Sequence, residues 1–355
     1  MPQQGTLIRT AHRTLSLIAA ALTVALAGTA CTNSDTDNGA PKPTPSVTAA
    51  PKPAPALTPA QARQAIVHYS QTNNRANMQQ DRTLLDTVEG GPLYAMSLAD
   101  FKQDEALPET DREPYRPWSY DLAATDLYIP RLKHGQQRWF AAVSRGGSRQ
   151  QYARVLILAE NTKSQRWEMV AAVDIDDPKL LPKIVLDQDG YATAVDASST
   201  NLAAPVRVLR SAVTDNFTTG GEVTGKKVFT STESSRRQIK VHDETTRKFG
   251  PRGTTRFAPA DPQFTDAYAL KTTTGALVVF SHTHTQHDAV ASPGLVIVPE
   301  KEDRAWLGTS PTPSVTYTFT CSDIAGVPSV PEPSRLLGYG CRRTDAEATG
   351  PSTAV

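Results

Sequence analysis

The sequence predicts an α+β fold made of two tandem units, in each of which helices pack on a curved antiparallel sheet. Two observations support this prediction. Apolar residues first recur at helical spacings of three and four, and the pattern then changes to the period of two that is typical of strands. This order of helices before strands occurs once in each half of the folded region. Helices segregated to one face of an antiparallel sheet characterise the α+β class.

Changes in composition divide the chain into five segments. We predict a signal peptide at 1–31, a disordered Pro-rich tether at 32–57, a first α+β domain at 58–198, a second at 202–345 and a disordered tail at 346–355. The tether has repeated prolines and almost no large apolar side chain, so it favours extended polyproline geometry of about 3 Å per residue. It would hold the folded region several nanometres away from its point of attachment.

The first domain begins with two predicted helices. A capping-box pattern marks the start of a helix and consists of Thr58, the proline that follows it, and Gln61. Residues at helical spacing then run from Ala62 to Val88, which predicts one long helix that a Gly-Gly-Pro sequence ends. A second, shorter helix is expected at 93–101.

Strands and one further helix complete the predicted elements. Branched and aromatic residues separated by turn residues indicate an antiparallel meander after the second helix. An Asp-Gln-Asp-Gly turn predicts a hairpin between 181–186 and 191–195. The second domain opens with a helical stripe at 205–217. The other predicted strands lie at 126–132, 138–144, 151–158, 166–175, 267–271, 276–285, 294–298 and 315–320.

The first 31 residues have the layout of an export signal. Arg9 and Arg13 precede an apolar run at 15–27, which is too short for the roughly 20 apolar residues that a membrane-spanning helix needs. The sequence offers two alternative cleavage sites. The Ala-Leu-Ala sequence at 25–27 would release a soluble protein that begins at Gly28. Alternatively, residues 26–31 resemble the lipobox of bacterial lipoproteins, in which Cys31 is lipidated, although this motif usually has an aliphatic residue where Gly28 stands.

The number of cysteines favours lipidation. The chain has three, Cys31, Cys321 and Cys341, and an odd number in an exported protein needs an explanation. If Cys31 carries lipid, the other two can form a disulfide between neighbouring strands, where closing a loop of about 20 residues contributes on the order of 3 kcal/mol. The alternative is a pair of buried free thiols.

The most distinctive polar pattern is Ser-His-Thr-His-Thr-Gln-His-Asp at 281–288. On a strand, His282 and His284 point to the same face, as in H-x-H sites for zinc or copper. If the strand bends, His287 or Asp288 would complete a set of three metal ligands. Otherwise Asp288 would hydrogen-bond to a ligating imidazole and orient its ring. The alternative is a solvent-exposed strand end in which His and Thr alternate.

Two other polar groups have a functional and a structural interpretation. Asn73 and Asn77 lie one helical turn apart, so they could bind a polar ligand in a cavity or hold a neighbouring segment by hydrogen bonds. Asp174 and Asp176 share a strand face, as an acid–base pair would, but Pro178 favours a solvated strand end. None of the linear signatures of serine hydrolases, zinc proteases, phosphate loops or EF-hands occurs.

The chain also resembles known families. The Asn-Asn-Arg-Ala-Asn sequence at 73–77 and the Glu-Gly-Gly sequence at 89–91 are similar to a family of actinobacterial secreted lipoproteins whose function is not established. The order of helices before a long sheet resembles the cone-shaped NTF2-like architecture in topology. These resemblances imply a location and an architecture, and they bring no catalytic residues.

The sequence therefore predicts an exported lipoprotein tethered to the outer face of the cell membrane. The 37 basic and 36 acidic residues argue against a nucleic-acid partner. We expect no cofactor, and a small molecule or a cell-envelope protein as the partner. The leading hypothesis is a non-enzymatic binding or interaction protein. The alternatives are an NTF2-like enzyme of isomerase or hydrolase type and a metal-binding lipoprotein that uses His282, His284 and His287.

Overall fold

Two antiparallel sheets and the helices that cover them form the fold. The structure, a computed structural model, describes residues 53–146 and 152–349. The helices are α1 (Pro59–Gln79), α2 (Arg82–Leu85), α3 (Gly91–Ala106), α4 (Val206–Thr218), α5 (Gly225–Val228), α6 (Glu233–Thr245) and α7 (Arg304–Leu307). The strands are β1 (Ala54–Pro55), β2 (Thr125–Tyr128), β3 (Pro130–Leu132), β4 (Trp139–Gly146), β5 (Tyr152–Glu160), β6 (Trp167–Ile175), β7 (Ala192–Thr193), β8 (Gly253–Pro259), β9 (Ala267–Lys271), β10 (Gly275–Val290), β11 (Ser314–Pro328) and β12 (Arg335–Thr349). The predicted α+β class is confirmed.

The strands divide into two main sheets and a small one. The first sheet has the order β2-β4-β5-β6, and the second has the order β12-β11-β10-β8 with β9 also paired to β10. All neighbouring strands in these two sheets are antiparallel. The small sheet joins β1, β3 and β7. The similarity of the whole fold to an NTF2-like cone stays a prediction.

The first helix is capped as predicted but ends earlier than expected. Thr58 and Gln61 form the capping box, with each side chain accepting from the other's backbone N–H. The helix stops at Gln79 because Gln80 takes a left-handed conformation with φ 50°. Asp81 then caps α2 by accepting a hydrogen bond from the Leu84 N–H at 2.9 Å. A run of polar residues with a strong capping side chain therefore breaks the predicted helix.

The folded region is longer at both ends than predicted. Residues 53–57 were expected in the tether, yet β1 pairs with β3 and the next two side chains, Ala56 and Leu57, are buried in the core. The apolar Ala-Leu pair explains the difference, because it can enter a core that the prolines before it cannot. β12 continues to Thr349, inside the segment predicted as a disordered tail. The signal peptide, Cys31 and residues 350–355 lie outside the described residues.

Two segments of the second half also differ from the prediction. The segment 294–298 forms a single isolated bridge, between Ile297 and Thr312, instead of a strand. The helix α6 lies between the predicted helix at 205–217 and the predicted strand at 267–271, where we predict no element, and Thr232 caps it with a second capping box. In the first half, the predicted turn after Leu186 is present, with Asp187 accepting from the Tyr191 N–H and Gly190 at φ 82°. The predicted hairpin is not formed in full, because residues 181–186 are not a strand and Leu186 pairs with Ala192 through an isolated bridge.

The two halves share one hydrophobic core. Ile66 of α1 and Phe140 of β4 belong to the same buried cluster as Val279 of β10, Ile324 of β11 and Leu337 of β12. The first six residues of β4 are buried on both strand faces, so other elements cover both faces of the first sheet there. The domain boundary at 198–202 stays a prediction. The shared hydrophobic core contains residues from both sides of this boundary. Among the helices that the structure describes, none combines the length and the apolar character needed to cross a membrane.

Gly338 of β12 lies where the backbone of the second sheet closely approaches the backbone of β6. A Cβ atom at this position would overlap the carbonyl oxygen of Asp174 and contact Val173 at 3.3 Å. One residue before it, the Leu337 carbonyl accepts a hydrogen bond from the Asp176 N–H at 3.1 Å. Glycine is therefore required here by a close approach of two backbones.

We predict that Gly338→Ala lowers the free energy of unfolding by about 1–3 kcal/mol, because the added methyl forces the two sheets apart. Urea denaturation measures this change. Gly340→Ala is the matched control, since a Cβ there meets nothing within 4 Å, and we expect it to stay within about 0.5 kcal/mol of the unsubstituted protein. Equal effects of the two substitutions would contradict the role given to Gly338.

Candidate functional site

His282 and His284 lie side by side on one face of β10, as predicted, but they are buried instead of exposed. Each has 2% of its surface accessible, because α4 and α6 cover this face of the second sheet. The ring of His284 is stacked between Phe217 and Phe319, with centroid distances of 4.3 and 5.1 Å. The alternative of a solvated strand end is therefore wrong for these two residues.

A buried polar network surrounds the two imidazoles. His282 Nδ1 lies 2.5 Å from Asp323 Oδ2, and His282 Nε2 lies 3.2 Å from His284 Nδ1. Asp323 Oδ1 accepts from Gln238 at 3.3 Å, and the Gln238 carbonyl oxygen accepts from Asn216 at 2.8 Å. Burial, and after it the neighbouring His282, lowers the pKa of His284 well below its ordinary value of 6.5. His284 is therefore a neutral ring at physiological pH.

Cys321 brings a third potential metal ligand to the same place. Its sulfur lies 3.8 Å from His284 Nδ1, and the ligand atoms of His282, His284 and Cys321 all lie within 4.8 Å of one another. We call these three residues the His–Cys cluster. The structure contains the predicted disulfide, which joins Cys321 to Cys341 on the neighbouring strand β12. In this state the Cys321 sulfur is held in the disulfide bond.

His287 does not belong to this cluster, which corrects the predicted ligand set. The strand β10 continues to Val290 with no register shift in its pairing with β11, so His287 lies on the opposite face from His284. Its Nδ1 lies 3.0 Å from the Thr316 hydroxyl. Asp288 is on the cluster's face but four residues beyond His284, where it accepts from Thr255 at 2.7 Å. Asp323 takes the position behind the ring that was considered for Asp288.

Asn73 and Asn77 form part of a second buried polar group. Asn73 donates to Glu89 Oε1 at 2.8 Å, and the Tyr69 hydroxyl donates to the same oxygen at 2.9 Å. Asn77 donates in turn to the Asn73 side chain at 2.9 Å. These contacts support the structural interpretation, in which the amide holds the segment before the Gly-Gly turn. Ligand binding by the two asparagines stays a prediction.

The predicted carboxylate pair is separated into two ion pairs. Asp174 accepts two hydrogen bonds from Arg154, at 2.6 and 2.9 Å. Asp176 instead contacts Arg237 and Ser234 of α6 and thereby joins the two halves of the fold. Each carboxylate already has a cationic partner, so this pair serves structure.

A cleft lies where the first sheet, the start of α3 and the opposite face of β10 and β11 meet. We call it the intersheet cleft, and its volume is about 310 Å³. Its apolar wall includes Val170, Ala171, Phe264 and Val279. Its polar side chains are Gln137, Asn161, Thr162, Lys163, Glu168, Asp266, Tyr268, Ser281 and Ser322.

Four of the polar side chains in the intersheet cleft are buried, namely Glu168, Tyr268, Ser281 and Ser322. Ser281 donates to the Phe264 carbonyl at 3.0 Å, and Glu168 accepts from Asn161 at 2.8 Å. Burial raises the pKa of Glu168 above its ordinary value. Ser322 has 2% of its surface exposed, and its hydroxyl has no hydrogen-bond partner among the residues that the structure describes. A buried hydroxyl without a partner is costly, which makes it notable in a cleft.

These features define an α+β protein with an intersheet cleft on one face of its second sheet and a buried His–Cys cluster on the other. Comparison with known proteins then identifies its family. The family described as "Domain of unknown function (DUF8094)" matches residues 53–348, and the chain belongs to it. The relatives are named as lipoproteins, so the predicted resemblance to actinobacterial lipoproteins of unknown function is confirmed.

Two relatives come from Streptomyces coelicolor. "Uncharacterized lipoprotein SCO6871" is 55% identical over 341 residues, which cover 96% of this chain and 96% of the relative. "Uncharacterized lipoprotein SCO2278" is 26% identical over 272 residues, which cover 76% of this chain and 79% of the relative. No solved structure matches the chain.

The Glu89 site gives a prediction about pH. Burial raises the pKa of Glu89 from 4.5 to about 7, so the unfolded state loses its proton at lower pH than the folded state. The stability contributed by protonated Glu89 is complete below pH 4.5 and is lost as the pH rises to 7. Glu89→Gln keeps the shape and cannot ionise. At pH 8 we expect it to be more stable than the unsubstituted protein by about 3 kcal/mol.

Urea denaturation between pH 4 and pH 8 tests this expectation. The difference between Glu89→Gln and the unsubstituted protein must grow over this range and level off above pH 7. Glu113→Gln, at an exposed position, is the control and is expected to show a constant difference near zero. A Glu89→Gln difference that does not vary with pH would contradict the assignment.

Proposed function

We propose that this protein is an exported lipoprotein, anchored to the outer face of the membrane by acylated Cys31, that binds a small molecule in the intersheet cleft. Support for the anchor comes from the lipobox-like sequence before Cys31, the Pro-rich tether behind it and the names of the two relatives. The tether would place the cleft outside the cell, away from the bilayer surface.

The Ser322 hydroxyl is the observation that supports binding most strongly. A buried hydroxyl that lacks a partner costs about 1–3 kcal/mol, and its neighbour across the strand pair, Ser281, has the partner that a purely structural serine would have. The Ser322 hydroxyl is covered in the ligand-free structure, so a ligand that enters the cleft and shifts its lining slightly would give Ser322 its missing hydrogen bond. The mixture of an apolar wall with a few polar groups is typical of small-molecule sites.

The lining indicates the class of ligand. Glu168 and Asp266 are the acidic side chains of the cleft and Lys163 is its cationic one, so the charges favour an uncharged or cationic molecule over an anion. Glu168 and Asp266 carry carboxylate oxygens, which suit a ligand with hydroxyl or amine donors. Val170, Ala171 and Phe264 would pack against an apolar part. We therefore propose a small amphiphilic molecule that carries hydroxyl or amine groups.

The polar contacts favour binding over covalent catalysis. The Ser281 hydroxyl donates to a backbone carbonyl, and the Ser322 hydroxyl makes no hydrogen bond to any side chain in the described part of the chain. Neither serine is therefore activated as a nucleophile, which would need a general base within hydrogen-bond reach.

Native mass spectrometry of the full-length protein purified from an actinobacterial host tests the proposal. We expect a bound molecule of one defined mass that is released on denaturation. A panel of amino sugars, polyols and amino acids, scored by thermal shift, extends the test to weak ligands. The proposal would be contradicted by a protein that carries no molecule and that none of the panel stabilises.

A pair of serine substitutions separates function from structure. In the ligand-free protein, Ser322→Ala removes an unpaired buried hydroxyl, so we expect unchanged stability or a gain of up to about 1 kcal/mol. Ser281→Ala breaks a hydrogen bond and should cost about 1 kcal/mol. Ser322→Ala should also weaken ligand binding. Equal destabilisation by the two substitutions in urea denaturation would show that Ser322 has a partner within the protein.

A further inference from the structure

We propose that the His–Cys cluster, together with Cys341, is a zinc site that forms when the Cys321–Cys341 disulfide is reduced. The ligands would be His282 Nε2, His284 Nδ1 and the two cysteine sulfurs. Two thiolates and two imidazoles are the ligand set of closed, tetrahedral structural zinc sites. This site is separate from the intersheet cleft and does not depend on the function proposed for it.

The distances between the ligand atoms suit a tetrahedral ion. Zn–N bonds of about 2.0–2.1 Å and Zn–S bonds of about 2.3 Å imply ligand separations of about 3.3 Å between two nitrogens and about 3.6 Å between nitrogen and sulfur. The two ring nitrogens lie 3.2 Å apart, and Cys321 Sγ lies 3.8 Å from His284 Nδ1. Cys341 Sγ is bonded to Cys321 Sγ in the oxidised protein. It therefore already lies next to the position proposed for the metal ion.

The residues around the cluster support the two imidazoles in the way that neighbouring side chains commonly support metal-binding histidines. Asp323 contacts His282 Nδ1, which fixes the ring tautomer and leaves the Nε2 lone pair directed at the cluster. Gln238 holds Asp323 in turn. Phe217 and Phe319 fix the plane of the His284 ring from both sides. The two nitrogens are therefore held in position before a metal arrives.

The change from disulfide to metal site balances as two steps. A dithiol reductant gives two electrons and two protons to the Cys321–Cys341 bond, which opens into two thiols while the two sulfurs of the reductant join to each other. Zn²⁺ then binds, and each thiol releases one proton as its sulfur becomes a ligand. The disulfide and the metal would thus be alternative links between β11 and β12, selected by the redox state outside the cell.

Cobalt substitution in the full-length protein tests the proposal. The protein is reduced with a phosphine without oxygen and titrated with Co²⁺, which reports a tetrahedral thiolate site through strong visible absorption and a sulfur-to-cobalt charge-transfer band. We expect one Co²⁺ per chain, displaced by one Zn²⁺, and no such spectrum from the oxidised protein. A reduced, folded protein without the charge-transfer band would overturn the proposal.

Two histidine substitutions show whether the assigned ring is the ligand. His284→Phe keeps an aromatic ring between Phe217 and Phe319 but removes the nitrogen, and we expect at least a 100-fold loss of Co²⁺ affinity. His287→Gln is the matched control, since His287 lies on the other face of β10, and its affinity should be unchanged. Equal affinity of the two variants would overturn the assignment.

A cysteine substitution covers the case in which reduction unfolds the protein. Cys341→Ser cannot form the disulfide and keeps Cys321 and both histidines as three ligands without any reductant. Circular dichroism with and without Zn²⁺ then gives the readout. Folding that depends on Zn²⁺, or a folded protein with the thiolate band of Co²⁺, supports the site, and a protein that Zn²⁺ neither binds nor folds overturns it.

Discussion

The antiparallel pairing of β10 with β11 is the constraint on which the rest of the structure depends. Its register places Ser281 opposite Ser322 and His282 opposite Cys321. Because successive side chains of a strand point to opposite faces, the serine pair faces the first sheet and the His–Cys pair faces α4 and α6. A shift of one residue in this register would exchange the two faces and place both sites wrongly.

This pairing is stable because both of its faces are buried. Val279 and Ile324 pack in the core shared with the first half, while Val278 and Ala325 pack in the cluster beneath α4. Cys321 and Cys341 add a covalent link from β11 to β12 at the same level. The intersheet cleft and the His–Cys cluster are thus held on rigid strands, where polar groups can be positioned accurately.

Local signals in the sequence predicted much of the fold. The capping box at Thr58 and the runs of branched and aromatic residues in β4, β5, β6 and β10 are local signals, so they indicate structure without knowledge of tertiary contacts. The break at Gln80 is also local, but it comes from the Asp81 cap and not from the apolar pattern. The length of β12 depends on contacts with a distant element. β12 has few large apolar residues, and its pairing with β11 supplies the order that its composition does not indicate.

The candidate sites were predictable in part for the same reason. The period of a strand is enough to place His282 and His284 together, and it would also have placed Asp323 on the face of Cys321. Gln238 and Asn216 reach the network from helices whose packing the pattern does not show. The importance of Ser322 lies in a missing partner, which is a property of the folded environment and leaves no trace in the sequence.

The most direct test of this account is a crystal structure of the full-length protein purified from an actinobacterial host. The account predicts electron density for a small molecule in the intersheet cleft, with a polar atom within hydrogen-bond distance of the Ser322 hydroxyl. A cleft closed by protein side chains, with Ser322 bonded to one of them, would contradict it.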